Sequence, residues 1–397
     1  MKSRPPANFQ SLNNARLKVG LDLAPIGFRE RAPGTAVLVE NQALALLALK
    51  VEWDWVLIAT PRVLADSPFF ASFNPIVVPD APLSLHVSFR LGRLWAKQNC
   101  ALGLATAFFI PFFGPPVVTN YFDANAFHQL PDTRKPWVRL KSAVIGPLWK
   151  MSRRRSRALF ILSDYGRRRM IEVDPTTAAK WVVAPCGCRP IQPCPGQIPQ
   201  WAAGLESRPF ILYAADLSEN KNQRRLIDAW GLLRSRCSTL PPLVLLGPGD
   251  PDYLREVIEP ARAQTGHPAD ILIPGFVSAT DLAWAFRSAS AYVQPSFAEG
   301  FGMPVIEAMS CGLPVACSDS TSLPEVAGGA AVLFDPTRAE SIAEALETIV
   351  QDEEARVRLK TAGLRRAENF TWERNAEIVS QRIREELRVI SSMRTRQ

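Results

Sequence analysis

The chain has 397 residues, 47% of them hydrophobic and 21% charged. That is a globular composition, and the length excludes a single small core, so two domains of about 150 to 200 residues each are expected. Charge is unevenly shared: residues 1–200 carry 25 Lys and Arg against 12 Asp and Glu, and residues 201–397 carry 21 against 26.

The start, "MKSRPPANFQSLNNARLKVG", lacks the apolar core of a signal peptide, which predicts a cytoplasmic protein. From Asn99 to Phe122 there are 24 residues without a charge, enough to span a bilayer. Pro111, Pro115, Pro116 and the strand-like "PVVTNYF" instead predict two buried elements joined by a turn, with shallow membrane insertion as the rival. The basic half then shows "KMSRRRSR" (150–157) and "GRRRM" (166–170), which suit a solvated face or an anionic membrane surface. No nucleic-acid fold signature accompanies them, so nucleic acid is not an expected partner.

"CGCRPIQPC" (186–194) holds three of the seven cysteines. No fourth ligand lies nearby and the paired spacing of structural zinc sites is missing, so these read as reduced thiols and no metal site is expected. Residues 186–208 are rich in Pro and Gly and read as a linker. They divide a first domain, 1–185, from a second, 209–370, with 371–397 expected as a C-terminal helix packing back on the first domain.

Past the linker, short apolar strands alternate with amphipathic helices. "FILYAA" precedes a helix with Leu226, Ile227, Trp230 and Leu233 at helical spacing, and "PLVLLG" precedes a helix near 251–264. "DILIPG", a helix over 280–288, "AYVQPS", a helix starting at Pro304, "PVACSD" and a helix around 324–326 complete the series. This pattern predicts a parallel, doubly wound sheet, on which ligands bind beyond the carboxyl ends of the strands. Two segments fall at that edge: "LSENKN" (217–222), which sets Lys221 beside a helix N-terminus, and "EGFGMPVIEAMSCGLP" (299–314). In the latter, Pro304 suits the first helical position, leaving Glu299 on a loop and Glu307 one turn into the helix. Gly300, Phe301, Gly302 and Met303 lie between them. The glycines, having no Cβ, let backbone N–H groups approach an anion or a sugar hydroxyl. A glycosidase pair is the rival reading, and it needs carboxylates facing each other about 5 to 10 Å apart around a scissile bond.

From Gly275 to Pro336 the wording "GFVSATDLAWAFRSASAYVQPSFAEGFGMPVIEAMSCGLPVACSDSTSLPEVAGGAAVLFDP" resembles the donor-binding domain of glycosyltransferase family 4. The resemblance continues more weakly through "KN" (221–222) and "FTWER" (370–374) and is faint in the first 185 residues. It implies an α/β GT-B fold, with two Rossmann-like domains facing each other across a cleft. It also implies a retaining transferase that takes a hexose from GDP-mannose or a UDP-sugar.

By that resemblance Glu307 binds the ribose, Glu299 and the amides of Gly300 to Met303 hold the donor sugar, and Lys221 neutralises the diphosphate. Pro304, Gly275, Phe276 and Val277 are implied as donor-site neighbours. No metal is needed, because Lys221 and a helix N-terminus can stabilise the leaving charge. The branch wording points to bacterial surface-polysaccharide assembly, with a glycan or lipid-linked acceptor and peripheral attachment to the inner membrane face.

Two places depart from the pattern, and a third has a counterpart. The family's phosphate-binding Arg is replaced by Ala214-Ala215 and by Asn220, with Arg224 or Arg225 as substitutes. Its His-Asp pair is replaced by Tyr121, Asp123 and His128 in "VVTNYFDANAFH". Its N-terminal glycine loop has a counterpart in "RAPGTAV", around Gly34. The departures motivate a second reading, a catalytically silent GT-B protein that binds a nucleotide or a partner.

Overall fold

Largely apolar segments two to seven residues long form the strands, and both sheets are wholly parallel wherever pairing is described. The computed structural model describes residues 16–28, 33–80, 86–106, 110–122, 136–188, 191, 198–205 and 208–394. The chain forms two compact units. The first comprises 1–121, 143–160 and 376–397, and the second 122–142 and 161–375.

The first sheet contains β1 (Leu17–Asp22), β2 (Trp53–Ala59), β3 (Ile76–Val77), β4 (Leu102–Ala105), β5 (Val117–Tyr121), β6 (Leu159–Ile161) and β7 (Trp181–Val183). Their order is β3-β2-β1-β4-β5-β6-β7. The uncharged stretch 99–122 supplies β4 and β5, every residue of which is buried, in register from Gly103↔Val117 to Ala105↔Thr119. Among the described residues no helix is long and apolar enough to cross a membrane. Two strand glycines have a steric reason. A Cβ on Gly20 would lie 2.1 Å from Trp95 Nε1, and one on Gly103 would lie 2.2 Å from Trp95 Cζ3. Neighbouring strands thus leave a slot for an indole that is fully buried.

Helix α1 (Pro33–Ala48) follows β1, α2 (Gly92–Lys97) precedes β4, and α3 (Pro136–Arg155) ends in Arg153, Arg154 and Arg155, a charge that favours a helix C-terminus. The arginine run beginning there is not one exposed face. Arg153 is 5% exposed, and Arg157 pairs with Glu386 at 3.3 Å. Only Arg154 and Arg155 are open to solvent. The second run lies on α4 (Asp164–Val173), where Arg167 and Arg168 pair with Asp164 and Arg169 pairs with Glu172.

The second sheet contains β8 (Ile211–Ala214), β9 (Leu243–Leu246), β10 (Ile271–Gly275), β11 (Ala291–Gln294), β12 (Val315–Ser318) and β13 (Val332–Phe334). Their order is β10-β9-β8-β11-β12-β13. Helices α5 (Gln223–Arg234), α6 (Met303–Ser310) and α7 (Leu323–Ala327) connect strands of this sheet. Leu226, Ile227, Trp230 and Leu233 of α5 all enter the core with Tyr213, Leu243 and Leu245. The three-residue β13 and the helices over 339–351 and 353–367 extend the unit beyond the elements read from the sequence. The last helix, α8 (Trp372–Arg394), starts in the second unit and from Ala376 onward belongs to the first. There Arg384 pairs with Glu52 at 3.1 Å and its guanidinium lies 5.9 Å from the ring centroid of Trp53.

Candidate functional site

Strand order in the second sheet reverses between β8 and β11, which pair directly through Ala291↔Ile211 and Tyr292↔Leu212. A doubly wound sheet opens its ligand crevice at such a point, because the connections on either side depart to opposite faces. The chain leaving β8 carries Lys221, and the chain leaving β11 carries Glu299. Topology therefore joins two residues 78 positions apart: Lys221 Nζ donates to both carboxylate oxygens of Glu299 at 2.9 Å.

Lys221 ends a short 3-10 turn, Glu219–Lys221, and is held by the asparagines on either side. Asn220 Nδ2 donates to the Ala298 carbonyl at 2.9 Å, and its own carbonyl accepts from Phe297 N–H at 2.9 Å. The position where the resemblance leads one to expect a cation is thus a clamp on the 297–298 loop. Asn222 has φ of 62°, a left-handed backbone that Asn tolerates better than most residues. Its buried Nδ2 donates to the carbonyls of Pro295 at 3.0 Å and Pro336 at 2.8 Å, tying the turn to the chain beyond β11 and β13.

Glu299 sits in a network built for its charge. Its Oε1 accepts from Ser296 Oγ at 2.7 Å and from Gln294 Nε2 at 3.0 Å, in addition to Lys221. Gln294 is oriented in turn by the Tyr292 hydroxyl, which donates to its Oε1. Burial, and then the carboxylates of Glu299 and Glu307, push the Tyr292 phenol well above its ordinary pKa, so it stays a neutral donor. The Glu299 backbone N–H donates to Thr321 Oγ1 at 2.9 Å, and its carbonyl accepts from Ser322 Oγ at 2.9 Å. Thr321 has φ of 56°, uncommon for a β-branched residue, and its strain accompanies this one contact.

The glycine-containing stretch follows at once. Gly302 caps α6 with φ of 100°, a conformation that favours glycine, and a Cβ there would also have to displace Leu323 Cδ2, 2.6 Å away. The helix begins at Met303, which makes Pro304 its second residue rather than its first. Phe301 is buried, and its ring packs edge-on to Phe370 at 5.6 Å. Glu307 is 4% exposed in the second turn of α6, close enough to Cys186 to raise that thiol's pKa after burial has already done so.

The start of α4 braces the loop. Ser163 Oγ donates to the Gly300 carbonyl at 3.1 Å, and the Glu325 carboxylate accepts from Asp164 N–H at 2.7 Å and Tyr165 N–H at 2.8 Å. Ser163, Gln294, Ser296, Thr321 and Glu325 were missed in the sequence. Gln294 alone left a signal, a polar residue inside an apolar strand run, whereas the others depend on contacts between distant segments.

The remaining candidates are more scattered. Arg225 lies over Phe297, 5.2 Å from its ring centroid, and its Nη1 donates to Asn222 Oδ1 at 3.4 Å, so it borders the Lys221 turn. Arg224 pairs with Asp228 on its own helix at 3.1 Å. Gly275 closes β10 with φ of 81°, Phe276 is 78% exposed and Val277 is half-buried. Gly34 lies in the first turn of α1 rather than in a loop, with open space where a Cβ would project. Tyr121 is fully buried in β5, its hydroxyl donating to the Trp149 carbonyl at 3.4 Å, which makes it a core residue. Asp123 and His128 lie outside the described residues, as does Cys194. Among the described residues no group of three or more His, Cys, Asp and Glu could hold a metal ion.

Residues 200–366 match the family model described as Glycosyl transferases group 1. The chain is 37% identical over 166 residues to the O-antigen chain mannosyltransferase B of Escherichia coli, a match covering 41% of this chain and 42% of that protein. The chain thus spans less than half the length of this curated relative. Its fold is similar to that of Anabaena HepE, solved in complex with UDP and glucose, at TM-score 0.67 and 18% identity, over 94% of this chain and 100% of that one. It is also similar to WaaG, a glycosyltransferase involved in lipopolysaccharide biosynthesis, at TM-score 0.60 and 15% identity, over 91% of this chain and 98% of that one. The chain has the GT-B fold, and its residues 200–366 match the glycosyl transferases group 1 family model.

Proposed function

We propose that the chain is a retaining hexosyltransferase of the family 4 type, moving a sugar, with mannose favoured, from a nucleoside-diphosphate donor to a glycan or lipid-linked acceptor. The observation that carries this reading is the Lys221–Glu299 pair beside the glycine-capped start of α6, at the switch point of a domain matching the group 1 family. A diphosphate leaves readily only when its developing charge is met, and a lysine held at a fixed place supplies this without a metal ion. Glu299, fixed by four hydrogen bonds to its side chain, is pre-set to accept from sugar hydroxyls. Glu307, buried on α6, is assigned to the ribose hydroxyls.

Mannose and surface-polysaccharide assembly are favoured by the mannosyltransferase relative, and a nucleotide donor by the UDP complex of the fold neighbour. In this reading the enzyme works on the cytoplasmic face of a membrane, where a lipid-linked glycan is presented. The test measures nucleoside diphosphate release from GDP-mannose, UDP-glucose and an ADP-sugar, with and without cell-envelope acceptors. Acceptor-dependent release that disappears in Glu299→Gln supports the reading. Nucleotide binding with no release under any condition favours the silent nucleotide-binding protein instead.

A further inference from the structure

The first unit carries an aromatic and basic patch that takes no part in the site described above. Phe89 is 45% exposed and Phe113 61%. The Phe89 ring meets Phe112 at 5.1 Å, and the Arg93 guanidinium lies 6.0 Å from the Phe113 ring centroid. Arg155 Nη2 donates to the Phe112 carbonyl at 3.2 Å, and Arg90 Nη1 donates to the Pro79 carbonyl at 3.2 Å. These contacts join three separate segments: the turns leading into α2, the β4–β5 connection and the last turn of α3. The patch is rigidly mounted, since a Cβ on Gly92 would lie 1.7 Å from the Phe113 carbonyl oxygen. The connection is therefore pressed onto α2 while the Phe113 ring remains outside.

We infer that this patch seats the first unit on an anionic lipid bilayer. Exposed apolar residues are ordinarily scattered singly. Here the rings cluster with three exposed arginines, Arg90, Arg93 and Arg155, and the neighbouring acid, Asp80, is paired with Arg62 at 3.8 Å. Rings that enter the headgroup and acyl boundary while guanidinium groups meet lipid phosphates fit this arrangement. A second copy of the chain fits poorly, because a two-fold contact would set the arginines of one copy against those of the other. The inference rests on the first unit alone, so its failure leaves the transferase reading where it stands.

Sedimentation with vesicles, in the absence of nucleotide, tests it. The parent protein is expected to bind vesicles of mixed phosphatidylcholine and phosphatidylglycerol, and to be released as salt is raised, because screening shortens to about 3 Å at 1 M. Phe89→Ser with Phe113→Ser should lower the partition coefficient by about tenfold per ring. Arg93→Gln with Arg155→Gln should lower it by about fivefold per arginine on mixed vesicles and leave any binding to phosphatidylcholine alone unchanged. Circular dichroism verifies that each variant is folded, and the salt titration of the parent reads the charge contribution without any variant. Failure of the parent to bind mixed vesicles overturns the inference, as does binding that folded Phe variants retain in full. A parent dimer in light scattering that Phe113→Ser dissociates would reassign the patch to self-association and overturn it equally.

Discussion

The Lys221–Glu299 pair allows a prediction that can be worked from the geometry. Both side chains are largely buried, at 18% and 12% exposure, and two hydrogen bonds of 2.9 Å join them. Unit charges about 4 Å apart attract by about 4 kcal/mol at an effective dielectric of ~20, and desolvation of both groups offsets much of that. Breaking a buried pair by removing one partner costs about 3–5 kcal/mol, because the other charge is stranded. In Lys221→Met the stranded carboxylate keeps its bonds from Ser296 and Gln294, so the expected loss is smaller, about 2–3 kcal/mol. Glu299→Gln instead removes the carboxylate that the ammonium faces and is expected to cost about 2 kcal/mol. The double variant leaves neither charge behind and should lose only about 2 kcal/mol, a coupling of about 2–3 kcal/mol. Urea unfolding of the four proteins without nucleotide, followed by circular dichroism, measures each term. Additivity to within about 0.5 kcal/mol would refute the reasoning, since two groups in direct contact do not contribute independently.

Further expectations concern the loop, the helix and the chemistry. Glu307→Gln should weaken nucleoside diphosphate binding by about 1.5–3 kcal/mol in calorimetry while the fold persists, and unchanged affinity removes the ribose assignment. Gly302→Ala should destabilise the second unit by at least about 1–3 kcal/mol in thermal melts, because φ of 100° and Leu323 at 2.6 Å both oppose a Cβ, and a neutral substitution would contradict the loop geometry. Turnover should survive a chelator, and activity lost to it and restored by magnesium would count against Lys221 as the phosphate cation. Burial pushes the thiol of Cys317 up to about 12 and that of Cys186 well above its usual value, so neither should be alkylated in the native protein at pH 8; rapid native-state labelling of either would show that burial to be wrong.

The second domain is largely legible in the amino-acid order alone, because its information is local. Alternating apolar runs and helical spacing locate β8 to β12 and the helices between them, since each strand must be apolar on both faces and each helix on one. The glycines and Pro304 mark where the backbone turns into α6, because few residues tolerate that conformation. Lys221 and Glu299 can be named from their neighbours in the chain, but not their contact. That contact follows from β8 lying beside β11, a property of strand order that no residue spacing encodes. The same holds for Ser163, Thr321 and Glu325, whose roles exist only where distant segments meet. Charge runs are the least reliable guide. A sequence counts Arg153 and Arg155 alike, yet packing buries the first and presents the second to solvent against the Phe112 carbonyl, because the faces of a helix are assigned only when something packs against it.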